Sequence, residues 1–276
     1  MLGKEILSFL ETEMVRPEPY GGFHIIWVGL AIFTIIFLFF RRKRNTEKQL
    51  KYVLGIYGIT AFILEALKQI IWSVDYNNIT NTFIWDYQWY AAPFQLCTMP
   101  IYVCLICLFL KKGRLRDSLL SFMAYVTILG SVATAIIPND VFVRDVLINI
   151  HTMWLHLGSL VVSVYLLMSK EVTVSRKDFI RAIITFVIFI LIANTLNVVV
   201  YNSGVLNGET FNMFYISPYF ESTLPVFDAI YTMVPYPLFL LIYFAALTLG
   251  AYIIYLIARV CINTKRVMVM RKNKMA

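Results

Sequence analysis

The apolar residues of this chain neither alternate nor form stripes; they run. Seven stretches, at about 23–40, 52–73, 94–110, 118–137, 146–168, 179–201 and 232–259, are almost continuously apolar, and short polar segments separate them. A helix needs about 20 apolar residues to cross the hydrocarbon core of a bilayer. The pattern therefore predicts an all-α fold, a polytopic membrane bundle of seven transmembrane helices over residues 23–260, with an N-terminal interfacial segment at 1–22 and a basic tail at 261–276. In the first segment Leu2, Ile6, Leu7, Leu10 and Met14 recur at helical spacing, with Lys4, Glu5, Glu11 and Glu13 between them. That spacing suits a short helix lying at the membrane surface, stopped by Arg16-Pro17-Glu18-Pro19; a frayed polar tail is the plainer alternative. The segment lacks the basic start and small-residue cleavage site of a signal peptide.

Lysine and arginine fall in every second connection. Arg41, Arg42, Lys43, Arg44, Lys48 and Lys51 separate the first two runs, Lys111, Lys112, Arg114 and Arg116 the third and fourth, and Lys170, Arg176, Lys177 and Arg181 the fifth and sixth. Arg259, Lys265, Arg266, Arg271, Lys272 and Lys274 follow the seventh, whereas 74–92 and 202–225 contain neither residue type and 138–145 only Arg144. Basic loops stay inside, so the pattern puts the N-terminus outside and the C-terminus inside, in a multi-pass protein of the cell membrane. Trp85, Tyr87, Trp89, Tyr90, Tyr215 and Tyr219 then form an aromatic belt at the outer interface. The composition agrees: 60% of the 276 residues are hydrophobic and 14% charged, with mean hydropathy +0.74, against about 25% charged in average globular domains. No separate soluble domain fits. The net charge of +8 lies in the short loops rather than on one basic face, so it excludes a nucleic-acid partner and suggests contact with anionic lipid headgroups.

Within the apolar runs the polar residues are grouped. His24 opens the first run; Glu65, Lys68 and Gln69 sit late in the second; Gln95 and Cys97 open the third; His151 and His156 lie in the first half of the fifth; Asn194 and Asn197 lie late in the sixth; and Asp228 precedes the seventh. In the orientation above all of them are in the outer half of the bilayer. An ionisable side chain at membrane depth costs several kcal/mol, so such grouping predicts a polar cavity open to the outer leaflet. Plainer readings stand beside this one. Glu65 and Lys68, three apart, suit a self-neutralising pair, Asn194 and Asn197 suit glue between helices, and His24 suits an interface.

The cavity's chemistry centres on residues 92–100, where an amide, a thiol, a hydroxyl and two prolines fall together. Pro100 cannot donate to the Leu96 carbonyl, so the backbone around Cys97 is expected to be irregular, as it is where a chain lines a cavity. Cys97 needs a neighbouring base or cation to act as a thiolate, and His156, His151 and Lys68 are the candidates. His151 and His156, five apart, lie about 140° around a regular helix and are expected to face different ways. Cys104 and Cys107 read as packing residues, and Gly55 and Gly58 as close helix contacts. No cofactor is implied, and no ligand spacing supports a metal site among His24, Glu65, His151 and His156.

Pro93-Phe94-Gln95-Leu96-Cys97, with His24, Glu65, Lys68, His156-Leu-Gly, the Asn-rich end of the sixth run and Pro235-Tyr236-Pro237, resembles the YwaF-type integral membrane protein family. That family is related to the eukaryotic transmembrane protein 164 acyltransferases. The resemblance implies a membrane bundle acting on phospholipids, with Cys97 as catalytic nucleophile and His156 as its base. The extra His151 leaves the choice of histidine open. On this basis the expected function is a Cys/His-dependent lipid acyltransferase or lipid hydrolase working through an acyl-thioester. Gln95, His24, Glu65, Lys68, His151, Asn194 and Asn197 are the expected substrate-binding or oxyanion residues. The alternative is a carrier or sensor binding a small polar ligand in the same cavity.

Overall fold

The computed structural model describes residues 2–41, 46–138 and 141–274, with side chains described as far as Cys261. Arg42, Lys43 and Arg44 of the first basic loop lie outside the described residues. The helices are α1 (Leu2–Leu10), α2 (Gly22–Arg41), α3 (Glu47–Ser73), α4 (Met99–Phe109), α5 (Arg114–Phe122), α6 (Ile128–Ile136), α7 (Val146–Met153), α8 (Ser159–Ser169), α9 (Arg176–Asn202), α10 (Phe227–Met233) and α11 (Tyr236–Lys274). The helices α5 and α6 are joined by a π-helical turn at Met123–Thr127, and α7 and α8 by another at Trp154–Gly158. Six helical segments among the described residues are long and apolar enough to cross a membrane: Gly22–Arg41, Glu47–Ser73, Arg114–Ile136, Val146–Met168, Arg176–Asn202 and Tyr236–Cys261. Large apolar side chains such as Phe33, Phe40, Leu191 and Leu241 are exposed on their outer faces, as lipid contact requires.

The third apolar run departs from expectation. Its helix, α4, begins only at Met99 and has 11 residues, about 16 Å at 1.5 Å per residue and short of the hydrocarbon thickness. Pro100 occupies the first turn of α4, where its missing N–H has no helical acceptor to serve. The proline therefore sets where the helix starts rather than bending one already begun, and residues 92–98 stay out of the helix. The connection at 74–92 also holds an antiparallel hairpin, β1 (Val74–Asn77) and β2 (Thr82–Trp85), with Tyr76 opposite Phe83. Asn77 Oδ1 builds its turn by accepting from the Ile79 and Thr80 amides. Among the described residues this hairpin holds the two named strands of an otherwise helical fold. Helix α1 packs on it, with Lys4 Nζ donating to Asn78 Oδ1 at 2.7 Å.

Two close approaches set the core around α3. A Cβ on Gly58 would come within 2.9 Å of Cys104 Cβ on α4, and one on Gly158 within 2.8 Å of the Tyr57 ring. Cys104 and Cys107 are buried packing residues, as expected. A π-turn misaligns main-chain carbonyls, and here hydroxyls satisfy them. Ser163 and Thr127 donate to the Met123 carbonyl at 2.9 and 3.0 Å, and Tyr57 donates to that of Leu155 at 2.9 Å. Gly158 therefore lets Tyr57 reach the turn that carries His156.

Candidate functional site

A cavity of about 670 Å³ opens between α3, α7, the irregular segment 92–98 and the long connection after α9. Its wall includes Lys68 and Trp72 from α3, Gln95 and Cys97, His151 and His156, and Tyr215 and Glu221. Segments far apart in sequence thus bring five of the expected site residues together.

Glu65 lies behind this wall and organises it. The residue is buried, and its Oε1 accepts from Lys68 Nζ at 2.6 Å and from Gln69 Nε2 at 2.8 Å. Its Oε2 faces His151 Nε2 at 2.9 Å. Lys68 and Gln69 also donate to the Ala91 carbonyl at 3.1 and 2.8 Å, in the 3-10 turn Trp89–Ala91 just before the Cys97 segment. One carboxylate therefore ties α3 to α7 and, through its two donors, to the approach to Cys97. The Glu65–Lys68 ion pair exists, but it does not neutralise itself in isolation, because the second carboxylate oxygen serves a histidine.

His151 and His156 share the cavity after all. The expected 140° separation holds for a regular α-helix, and the i→i+5 turn at Trp154–Gly158 breaks that regularity between them. His156 Nδ1 lies 3.1 Å from Thr134 Oγ1 on α6. Cys97 is half-buried and free, and no hydrogen bond joins it to either histidine among the described residues. Catalytic hydrogen bonds are often long before substrate binds. Burial, and next the neighbouring Cys97, pushes the Tyr215 hydroxyl up to about 12, so Tyr215 remains a neutral donor on the wall.

Besides Glu65, three expected site residues are not in the wall, and their partners say why. Both polar atoms of the Asn197 amide are used by Met213, its Nδ2 donating to the carbonyl at 3.0 Å and its Oδ1 accepting from the amide at 2.7 Å. Asn194 Oδ1 accepts from the Tyr236 hydroxyl at 2.6 Å. His24 packs against Tyr20 and Phe142, its Nδ1 accepting from the Tyr20 amide at 3.2 Å. Gln95 does line the cavity, but its amide spans the Asn212 carbonyl at 2.9 Å and the Phe214 N–H at 2.8 Å. These amides staple residues 212–214 into place, and Phe214 and Tyr215 there hold left-handed backbone with φ of 58°. Asn149 does the same for Val143 at 2.9 and 3.0 Å. Sequence reading passed over Thr134, Asn149 and Glu221; Thr134 and Asn149 are ordinary helix residues until their partners are known.

One family model, described as the TMEM164 family, matches residues 19–255. No curated protein and no solved structure matches the chain.

Proposed function

We propose that this chain, which belongs to the TMEM164 family and is a multi-pass membrane protein, transfers acyl groups from membrane phospholipids through a thioester on Cys97. The observation that carries this reading is that one cavity is lined by Cys97, His151, His156 and Lys68 together. In a membrane protein such a concentration of ionisable groups around a thiol is costly unless it is used. The Sγ–H proton passes to a histidine nitrogen, Sγ attacks the ester carbonyl carbon, and the C–O bond breaks as the leaving alcohol takes that proton. An acceptor hydroxyl or water then attacks the thioester, and its proton returns to Sγ by the same route. The resemblance gives the proton to His156, and His151 lines the same wall. Lys68 and Tyr215 supply donors beside the reacting carbonyl.

The alternating basic loops support an arrangement with the N-terminus outside, the C-terminus inside, and the cavity facing the outer leaflet of the cell membrane. Helix α4 is the seventh membrane segment, entering with the loop 92–98 without spanning the full core. A lipid-like, thiol-directed acyl probe on protein in lipid nanodiscs tests the reading. Labelling should vanish in Cys97→Ala and slow in His156→Ala. Equal labelling of all three proteins would instead favour a carrier or sensor whose cavity binds a small polar ligand.

A further inference from the structure

The two cavity histidines differ in what holds them, and the difference fixes which nitrogen of each is free. An ionised carboxylate only accepts hydrogen bonds, and Glu65 already takes Lys68 and Gln69 on Oε1. His151 Nε2, 2.9 Å from Oε2, is therefore an N–H donor. Its Nδ1 has no hydrogen-bond partner among the described residues and carries the lone pair in the neutral ring. His156 is held by a hydroxyl instead. On the same helical unit Thr127 and Ser131 spend their hydroxyl protons on carbonyls four residues back, at 3.0 and 3.3 Å. Among the described residues Thr134 makes no such bond, and its hydroxyl meets only His156 Nδ1, at 3.1 Å. A hydroxyl that donates to Nδ1 leaves Nε2 of His156 as the N–H, the tautomer the proposal below uses.

We propose that His151, oriented by Glu65 as a positioning residue, is the base that takes the Cys97 thiol proton, while His156, oriented by Thr134, donates its Nε2–H to the oxyanion forming on the acyl carbonyl. The assignment rests on Cys97 as nucleophile and reverses the role that the resemblance gives His156. Nucleophile, base and orienting carboxylate then come from three segments, with the base held as an orienting third group holds it elsewhere. Proton balance is unchanged: Sγ–H gives its proton to His151 Nδ1, the C–O bond breaks, and the leaving oxygen takes that proton. His156 exchanges none. The imidazolium that forms on His151 faces Glu65 and Lys68 of α3, with Cys97, His156, Tyr215 and Glu221 on the remaining wall.

Alkylation separates the two roles, because displacement of iodide from iodoacetamide forms no oxyanion. Protein in nanodiscs is assayed for Cys97 alkylation by iodoacetamide and, separately, for Cys97 acylation by a short-chain phospholipid, both read by mass spectrometry at neutral pH. His151→Gln and Glu65→Gln should slow both reactions, by about 10²-fold for His151→Gln as for loss of a general base. His156→Gln and Thr134→Val should slow acylation alone, by about 10²-fold for His156→Gln as for loss of one oxyanion donor. Thr134→Ser should restore acylation. If His156→Gln slows alkylation and His151→Gln does not, the assignment is overturned. The near-isosteric Thr134→Val guards against misfolding: unchanged acylation in that variant also overturns the proposal. Absence of wild-type acylation would sink the acyl-transfer reading instead, and the alkylation arm would still decide which histidine serves Cys97.

Discussion

Helix α3 carries a charge cluster at each end, one around a buried arginine and one around a buried carboxylate, and only the second borders the cavity. At its start Glu47 takes a bidentate pair from Arg116, at 2.6 and 2.9 Å, and Glu171 adds a second carboxylate at 3.6 Å. Arg116 is 2% exposed; the neighbouring Arg181 bridges Asp117 and Asp178 at 3.3 and 2.9 Å. Arg116 and Arg181 both meet carboxylates and neither lines the cavity. Eighteen residues on, about 27 Å along the helix, Glu65 has the inverse arrangement: one carboxylate holds Lys68, Gln69 and His151. Two of those three partners present their remaining capacity to the cavity. The same physics, a desolvated ion held by good geometry, clamps helices at one end and aims side chains at the other. What separates clamp from site is whether the partners are used up.

Substitutions should separate the two ends, the largest effect coming first. Glu65→Ala should lower acylation by about 10²-fold or more, since it releases His151 and strands Lys68; acyl-adduct formation per folded molecule checks this. Arg116→Met should instead cost about 1–2 kcal/mol of stability, because half-exposed Glu47 stays solvated when its partner goes; thermal unfolding in lipid reads the loss, while acylation per folded molecule stays unchanged. A fall in specific activity with Arg116→Met would erase the distinction. Gly158→Ala should cost about 1–3 kcal/mol, because its Cβ would meet the Tyr57 ring at 2.8 Å. It should also slow acylation by disturbing the turn that carries His156. Asn197→Ala should be mildest for chemistry, losing about 1–2 kcal/mol from the Met213 staple with acylation within a few-fold of wild type. A loss as large as that of Glu65→Ala would return Asn197 to the oxyanion role.

The membrane-crossing helices were legible because lipid admits long apolar runs and little else. The cost of polar groups inside apolar runs singled out Lys68, Gln95, Cys97, His151 and His156, which line one cavity, and Glu65 behind them. The same signal also marked His24, Asn194 and Asn197, which lie outside the cavity. Burial of an amide shows that it has a partner, not which one, and the partner of Asn197 is main chain, which has no signature in sequence. The shared facing of His151 and His156 was hidden because a π-turn leaves the apolar pattern intact while changing the angle between residues five apart. Helix α4 was misread in length because Pro100 suits a first turn as well as it breaks an interior one.

The most direct measurement is the mass of the protein after incubation with a defined phospholipid, followed by hydroxylamine. The account predicts one acyl group on Cys97, removed by hydroxylamine, present in wild type and Arg116→Met, and absent in Cys97→Ala. An acyl group found elsewhere, or equal acylation of wild type and Cys97→Ala, would contradict it.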